Sequence, residues 1–344
     1  MHFPIRPIDL LNGAPLLRGD LQVFNPIRTN WQTWVKPKGV TMCFMLAIGG
    51  GGGGGGGFST VTNTSVGGGG GGAAGGVSKL LIPAFFLPDN LFIQVGEGGT
   101  AGQKGANSGS ATTAGGQGGI SYISLGRSTA NPNVLFQSSA TAPGGGGGGA
   151  SAAAGSAGTV PTAAVATNAL LQLGIFASNV SNIAGGTGGP GAGGSITAYA
   201  DGQIFTTAGG GGGNASAGAP GTANVGGSIV ATGDYEFITT GGHLVPPAAT
   251  AQITAFTLTQ GGRLPPDGNY TGGAGMNIYS PFIFTGGAGG QSTIDQVTAA
   301  GEGGRGGIGG GGGGGGSGHS PTGEISRGAN GGPGGPGLVI IYSW

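Results

Sequence analysis

Charge is what this sequence has least of. Only 6% of its 344 residues are Asp, Glu, Lys or Arg, and the two signs cancel to a formal net charge of +0. A nucleic-acid binder needs a basic footprint, which a chain with a pI near 6.8 and no Lys/Arg block does not have. The same lack of a basic block removes a membrane-surface patch, and no apolar run is long enough to span a bilayer, so no membrane insertion is expected. Cysteine is nearly missing as well. Cys43 alone excludes an intrachain disulfide, and its apolar neighbours predict a buried, inert thiol. The three histidines, His2, His243 and His319, stand far apart and away from clustered carboxylates, which leaves no metal-ligand spacing. The opening Met1-His2-Phe3-Pro4-Ile5-Arg6-Pro7 has no basic region followed by an apolar core, so no Sec-type signal is expected.

The chemistry-bearing patterns are equally thin. No Gly-Lys-Ser or Gly-Lys-Thr follows any glycine run, and GxGxxG arises by composition alone in so glycine-rich a chain. Asp234 and Glu236 flank Tyr235 on one predicted strand and share a face by period-two geometry, where a solvated pair is the simpler reading than a glycosidase couple. Arg18-Gly19-Asp20 is a tripeptide without context, and the sequons at Asn63, Asn179, Asn214 and Asn269 need a glycosylating pathway to matter. The expectation is a protein that is not an enzyme, with no catalytic residues, no cofactor and no metal.

What the chain has is glycine, 91 residues of it. Nine are consecutive, Gly49–Gly57, entered directly from the apolar run Val40–Ile48, and further tracts stand at Gly67–Gly72, Gly144–Gly149, Gly209–Gly213 and Gly309–Gly316. Such a composition usually means disorder. Disorder, however, is maintained by low hydrophobicity with high net charge, whereas here the mean hydropathy is +0.14 and the apolar residues are clustered. An ordered fold is expected instead, with apolar strands bracketing the tracts. Collagen is excluded because glycine does not fall at every third position over any long span; only Gly331–Gly337 has a triplet rhythm.

Taken in order, residues 1–30 form an N-terminal arm rich in proline and basic residues, and residues 31–344 form one glycine-rich body. Strands are predicted at Trp31–Val35, Val40–Ile48, Phe58–Asn63, Ser78–Pro83, Asn90–Val95, Ile120–Leu125, Asn133–Gln137, Ser195–Ala200, Gln203–Thr207, Gly227–Ala231, Tyr235–Thr240, Ala251–Thr259, Ile278–Phe284 and Gly337–Tyr342. Lys36–Gly39 and Asp201-Gly202 read as turns, and Thr162–Ala177 is the one helix candidate. Leu338–Tyr342 should lie beside Val40–Ile48, since both are continuous apolar strands opening onto glycine tracts.

Polyglycine can adopt the polyproline II conformation, with about three residues per turn and a rise of about 3.1 Å, its N–H and C=O groups pointing outward. Such helices packed side by side can satisfy one another's backbones, because no Cβ keeps them apart. The fold class predicted is therefore mainly β with packed polyglycine II helices, a strand-bracketed glycine-rich sandwich with little or no α-helix.

The opening Trp34-Val35-Lys36-Pro37-Lys38-Gly39-Val40-Thr41, the strand into Ala47-Ile48-Gly49, and the closing Gly331-Gly332-Pro333-Gly334-Gly335-Pro336-Gly337-Leu338-Val339-Ile340-Ile341-Tyr342 together resemble the glycine-rich domain of bacteriophage tail-fibre and other virion surface proteins. The resemblance spans about residues 31–344. It implies a structural virion surface protein, a fibre, spike or shell-associated component, made in the host cytoplasm, with a rigid polyglycine core carrying loops that contact a host cell-surface glycan or protein. It also implies a homo-oligomer whose residues 1–30 meet other virion proteins. The alternative is a self-assembling extracellular filament or matrix protein. Candidate receptor-contact residues are His243, Pro246 and Pro247 in one stiff loop and Pro266, Asp267, Asn269 and Tyr270 in another, where tyrosine and asparagine on a rigid loop suit saccharide or protein surfaces. The same loops could equally cap the ends of the glycine bundle.

Overall fold

The computed structural model describes residues 19–27, 31–60, 65–105, 112–130, 132–138, 144–147, 155–156, 158–159, 180–183, 206, 209–213, 271–272, 274–275, 277–279, 282–293, 299–319 and 328–344. Among these it is mainly β, built on antiparallel sheets, and contains no α-helix. The predicted helix Thr162–Ala177 lies outside the described residues, as do the predicted strands between 195 and 200 and between 227 and 259.

One sheet takes its strands from both termini. Its order is β1 (Asp20–Phe24), β13 (Leu338–Ser343), β3 (Met42–Ile48), β5 (Val77–Pro83) and β9 (Val180–Ile183), every neighbouring pair antiparallel. The predicted pairing of the two long apolar runs holds: Leu338 stands opposite Ile48 and Ser343 opposite Cys43. Within the proposed arm of residues 1–30, Asp20–Phe24 is thus the edge strand of the body's own sheet.

The second sheet runs β2 (Gln32–Val35), β6 (Asn90–Gln94), β7 (Tyr122–Ser124) and β8 (Val134–Gln137), again antiparallel, with a bulge between Ile123 and Ser124. Gly39, at φ +83, supplies the left-handed residue of the turn that leads from β2 towards β3. The predicted strand Ile278–Phe284 is instead a hairpin of β10 (Asn277–Tyr279) and β11 (Phe282–Phe284), in register Asn277 to Phe284. In the sequence Pro281 stands between the two strands, and proline has no N–H for a ladder running straight through.

Alternation explains how the layers stack. On β3, Cys43, Met45 and Ala47 turn to one side and join Leu80, Ile82, Val339 and Ile341 against Trp34, Leu91, Ile93, Ile123 and Phe136 of the second sheet. Phe44, Leu46 and Ile48 turn to the other side, where they meet Val77, Leu338, Ile340, Phe284 and Ile308. A strand covered on both faces favours apolar residues at every position, which is why β3, Met42–Ile48, is an unbroken apolar run. Burying each of the Val, Leu, Ile, Phe and Met side chains here is worth about 1.5–3 kcal/mol, so this stack is the part of the molecule able to anchor segments that have no side chains.

Each central strand then opens into glycine. Ile48 leads into Gly49–Gly57, the segment 67–76 runs into Val77, and Gly337 hands the chain to Leu338. Serine hydroxyls stitch this junction. Ser121 Oγ donates to Ile48 O at 2.6 Å and accepts from Gly96 N at 3.0 Å, while Ser138 Oγ accepts from Ser121 N at 3.0 Å. No helix among the described residues is long and apolar enough to cross a membrane.

Candidate functional site: the glycine bundle and its loop-bearing end

The segment 49–57 is held by a hydrogen-bond pattern that repeats every three residues. Gly49, Gly52 and Gly55 donate to Gly76, Ala73 and Gly70; Gly50, Gly53 and Gly56 donate to Gly119, Gly116 and Thr113; Gly51, Gly54 and Gly57 donate to Gly335, Gly332 and Ala329, all at 2.8–3.1 Å. In each series the partner number falls as the donor number rises, so these three neighbours run antiparallel to 49–57. The carbonyls face further neighbours: Gly51 and Gly54 accept from Gly99 and Gly102, Gly52 and Gly55 from Gly312 and Gly315, and Gly53 from Gly145. Six segments therefore surround one, and all nine amides of the central segment and the carbonyls of Gly51–Gly55 are paired without a side chain.

Glycine is required here by close approach. A Cβ placed on Gly50, Gly53 or Gly56 would strike the carbonyls of Glu97, Thr100 and Gln103, and one on Gly51, Gly54 or Gly57 those of Gly310, Gly313 and Gly316, in every case nearer than the 3.0 Å that real Cβ atoms respect. The tract Gly309–Gly316 is enclosed in the same way, bonding to segments around residues 52–55, 72, 210, 287–290, 301–307 and 332–335. It begins at Gly309, whose φ of +63 reverses the chain where it comes back to the sheets.

Segments on the outside keep the three-residue rhythm but spend it differently. Along 96–105, Gly96, Gly99, Gly102 and Gly105 are buried, while Glu97, Thr100 and Gln103 face solvent. Glu302 and Arg305 are exposed between buried glycines, and on 328–336 the outward line is Asn330, Pro333 and Pro336. Proline suits that line because an outward N–H would have no acceptor in the bundle, while the carbonyls of Pro333 and Pro336 still accept from Gly306 and Gly309. The triplet rhythm of Gly331–Gly337 is the sequence trace of this geometry.

Chain direction sorts the connections to two ends. The sheets occupy one end. At the other, Phe58 packs on Val66 in a small buried pair, and β4 (Ser59–Thr60) pairs in parallel with β12 (Gly318–His319). Side-chain oxygens close this end: Ser317 Oγ donates to Val66 O and Gly213 O, each at 3.1 Å, Ser59 Oγ accepts from Gly328 N at 2.7 Å, Thr113 Oγ1 accepts from Gln103 N at 2.7 Å, and Asn330 Oδ1 accepts from Lys104 N at 3.0 Å. Gly213 lies here beside Ser317, as does Gly272 beside Glu302. Gly213 and Thr271, which flank the stretch 214–270 in the sequence, thus both lie at this end. That stretch carries His243, Pro246, Pro247, Pro266, Asp267, Asn269 and Tyr270, which lie outside the described residues, as do Asp234, Glu236, His2 and the four sequons.

The described residues offer little reactive chemistry. No group of three or more His, Cys, Asp or Glu among them could hold a metal ion. Cys43 is buried, and that burial pushes its thiol up to about 11 against a smaller opposing pull from Lys36, which keeps it protonated and unreactive near neutrality. Asp20 begins β1, where its carboxylate accepts from Gln22 Nε2 at 2.6 Å. The serine and threonine staples were not foreseen from the sequence; their only signal is a hydroxyl residue within a few positions of a glycine tract. No protein-family model matches the chain, and no curated protein matches it.

Proposed function

We propose that the glycine segments are polyglycine II helices packed side by side, and that the chain is a structural protein of a virion surface, a fibre, spike or shell-associated component. The observation that carries the first half is the three-residue repeat of bonding around Gly49–Gly57, the pitch expected of that helix. Ordering a glycine costs about 1–2 kcal/mol and a backbone hydrogen bond returns about 1 kcal/mol net, so a bundle of this kind does not hold itself; the sheet stack must supply the rest. The outcome is a stiff post, fastened at the sheet end, with Gly213 and Gly272 at the other.

A stiff post with the stretch 214–270 anchored at its far end suits a part that reaches from a particle towards a host surface. In this reading the loops within 214–270 contact a cell-surface glycan or protein, residues 1–30 meet other virion proteins, and copies associate so that weak contacts add through avidity. The near absence of charge favours association, since proteins near zero net charge tend to self-associate. Quantifying the chain in purified particles tests the assignment. A fixed copy number per particle supports it, whereas long polymers of the purified chain alone favour the filament reading.

A further inference from the structure

We propose that the outward side chains of the surface segments are stops that close the bundle against a second copy of this chain, so that copies cannot associate by merging their glycine lattices. The inference rests on the polyglycine reading above and extends it to the choice of interface. A lattice of glycine helices has no inherent boundary: any outer segment with a bare face could bond to another segment as Gly49–Gly57 bonds to its neighbours. This is the sheet-edge problem in another geometry, an unpaired row of N–H and C=O groups that templates association.

The structure shows what separates an inner segment from an outer one. Gly49–Gly57 and Gly309–Gly316 carry no side chain at any position and are buried throughout. The outer segments carry an exposed side chain at every third position: Glu97, Thr100 and Gln103 on one, where Ala101 and Lys104 add to the cover, Glu302 and Arg305 on another, Pro333 on a third. At about 3.1 Å per residue these stand about 9 Å apart along each segment. That spacing leaves no stretch long enough for a bare segment to lie down between them. The steric argument is the one already made for the interior. Within the bundle, a Cβ on Gly50, Gly53 or Gly56 would overlap the carbonyls of the neighbouring segment 97–103. A foreign segment seated on the outer face of 97–103 would meet the Cβ atoms of Glu97, Thr100 and Gln103 in that same relation, and they are present. Self-association therefore uses the sheet end or the loops rather than the flanks of the post.

The test is a pair of variants compared with the parent chain by sedimentation velocity over a hundredfold concentration range. Hydrogen exchange of the peptide covering 49–57 is read in parallel. Glu97→Gly/Thr100→Gly/Gln103→Gly should sediment as larger species that grow with concentration, while its core peptide stays protected. The alanine counterpart, which keeps each Cβ, should match the parent. Should the triple glycine variant lose core protection, Glu302→Gly/Arg305→Gly carries the same test on another segment. Parent-like sedimentation of a glycine variant with a protected core, growth of the alanine variant, or unfolding of both glycine variants would each overturn the proposal. A parent chain whose core peptide is itself unprotected would instead sink the polyglycine reading beneath it.

Discussion

Gly53→Ala is the sharpest perturbation available, because it adds one methyl group at the middle of the most enclosed segment. The new Cβ would overlap the carbonyl of Thr100, with Thr100 C at 2.7 Å and Gly99 O at 3.2 Å. All of these are backbone atoms, so no side-chain rotation relieves the clash and one segment must move. Overpacking of this kind costs about 1–3 kcal/mol. A shift also strains the bond from Gly53 N to Gly116 O and that from Gly145 N to Gly53 O, both 2.9 Å, at about 1 kcal/mol each. Lower entropy of the unfolded chain returns about 0.4–1 kcal/mol. The net loss is about 2–4 kcal/mol, a large share of a typical 5–15 kcal/mol stability. Urea unfolding followed by circular dichroism measures it, with Glu97→Ala as the control on an exposed position, expected within about 0.5 kcal/mol of the parent. Equal midpoints for Gly53→Ala and the parent would refute the claim that this tract is packed against backbone on every side.

Deleting Leu338–Trp344 removes the strand between β1 and β3 and should leave no folded protein; a truncated chain with a cooperative unfolding transition would contradict the register described. Raised alkalinity should weaken the fold. The folded state favours the neutral Cys43 thiol, so its contribution is intact below about pH 9 and lost as pH climbs from 9 towards about 11, with Tyr122 and Tyr342, also raised by burial, acting in the same direction. Cys43→Ala should flatten part of that decline in a stability profile between pH 8 and pH 11. Asp89→Asn should change the urea midpoint hardly at all, because the 3.4 Å pair with Lys36 leaves Asp89 89% exposed. Lys36→Met should cost more, about 1–2 kcal/mol, since the same ammonium donates to Leu87 O at 2.7 Å.

How much of this was legible in the sequence depends on whether side chains carried the signal. Strands β2, β3, β5, β6, β8 and β13 could be read because their apolar alternation or continuity answers to burial on one face or two. β1 was hidden inside a segment whose prolines and basic residues suggested an arm, and Asp20–Phe24 became a strand only because β13 offers an edge. The Ile278–Phe284 run reads as one strand because Ile278, Tyr279, Phe282, Ile283 and Phe284 outweigh the one break signal within it, Pro281. The tracts were recognisable as tracts, but a run of identical residues holds no phase, so nothing in Gly49–Gly57 tells which amide faces which neighbour. Phase appears only on the outer segments, where Glu97, Thr100 and Gln103 mark every third position. The loops predicted to contact a receptor lie in the stretch 214–270, and only its two anchoring points, Gly213 and Thr271, are placed at the far end of the bundle.

The account stands on the glycine tracts being ordered and mutually bonded, and hydrogen–deuterium exchange of the intact chain tests that most directly. A peptide covering Gly49–Gly57 should exchange as slowly as one covering β3, because each of its amides donates to a carbonyl of a neighbouring segment and opening any one requires the bundle to part. Exchange of that peptide within seconds, at the rate of an unstructured glycine linker, would contradict the account.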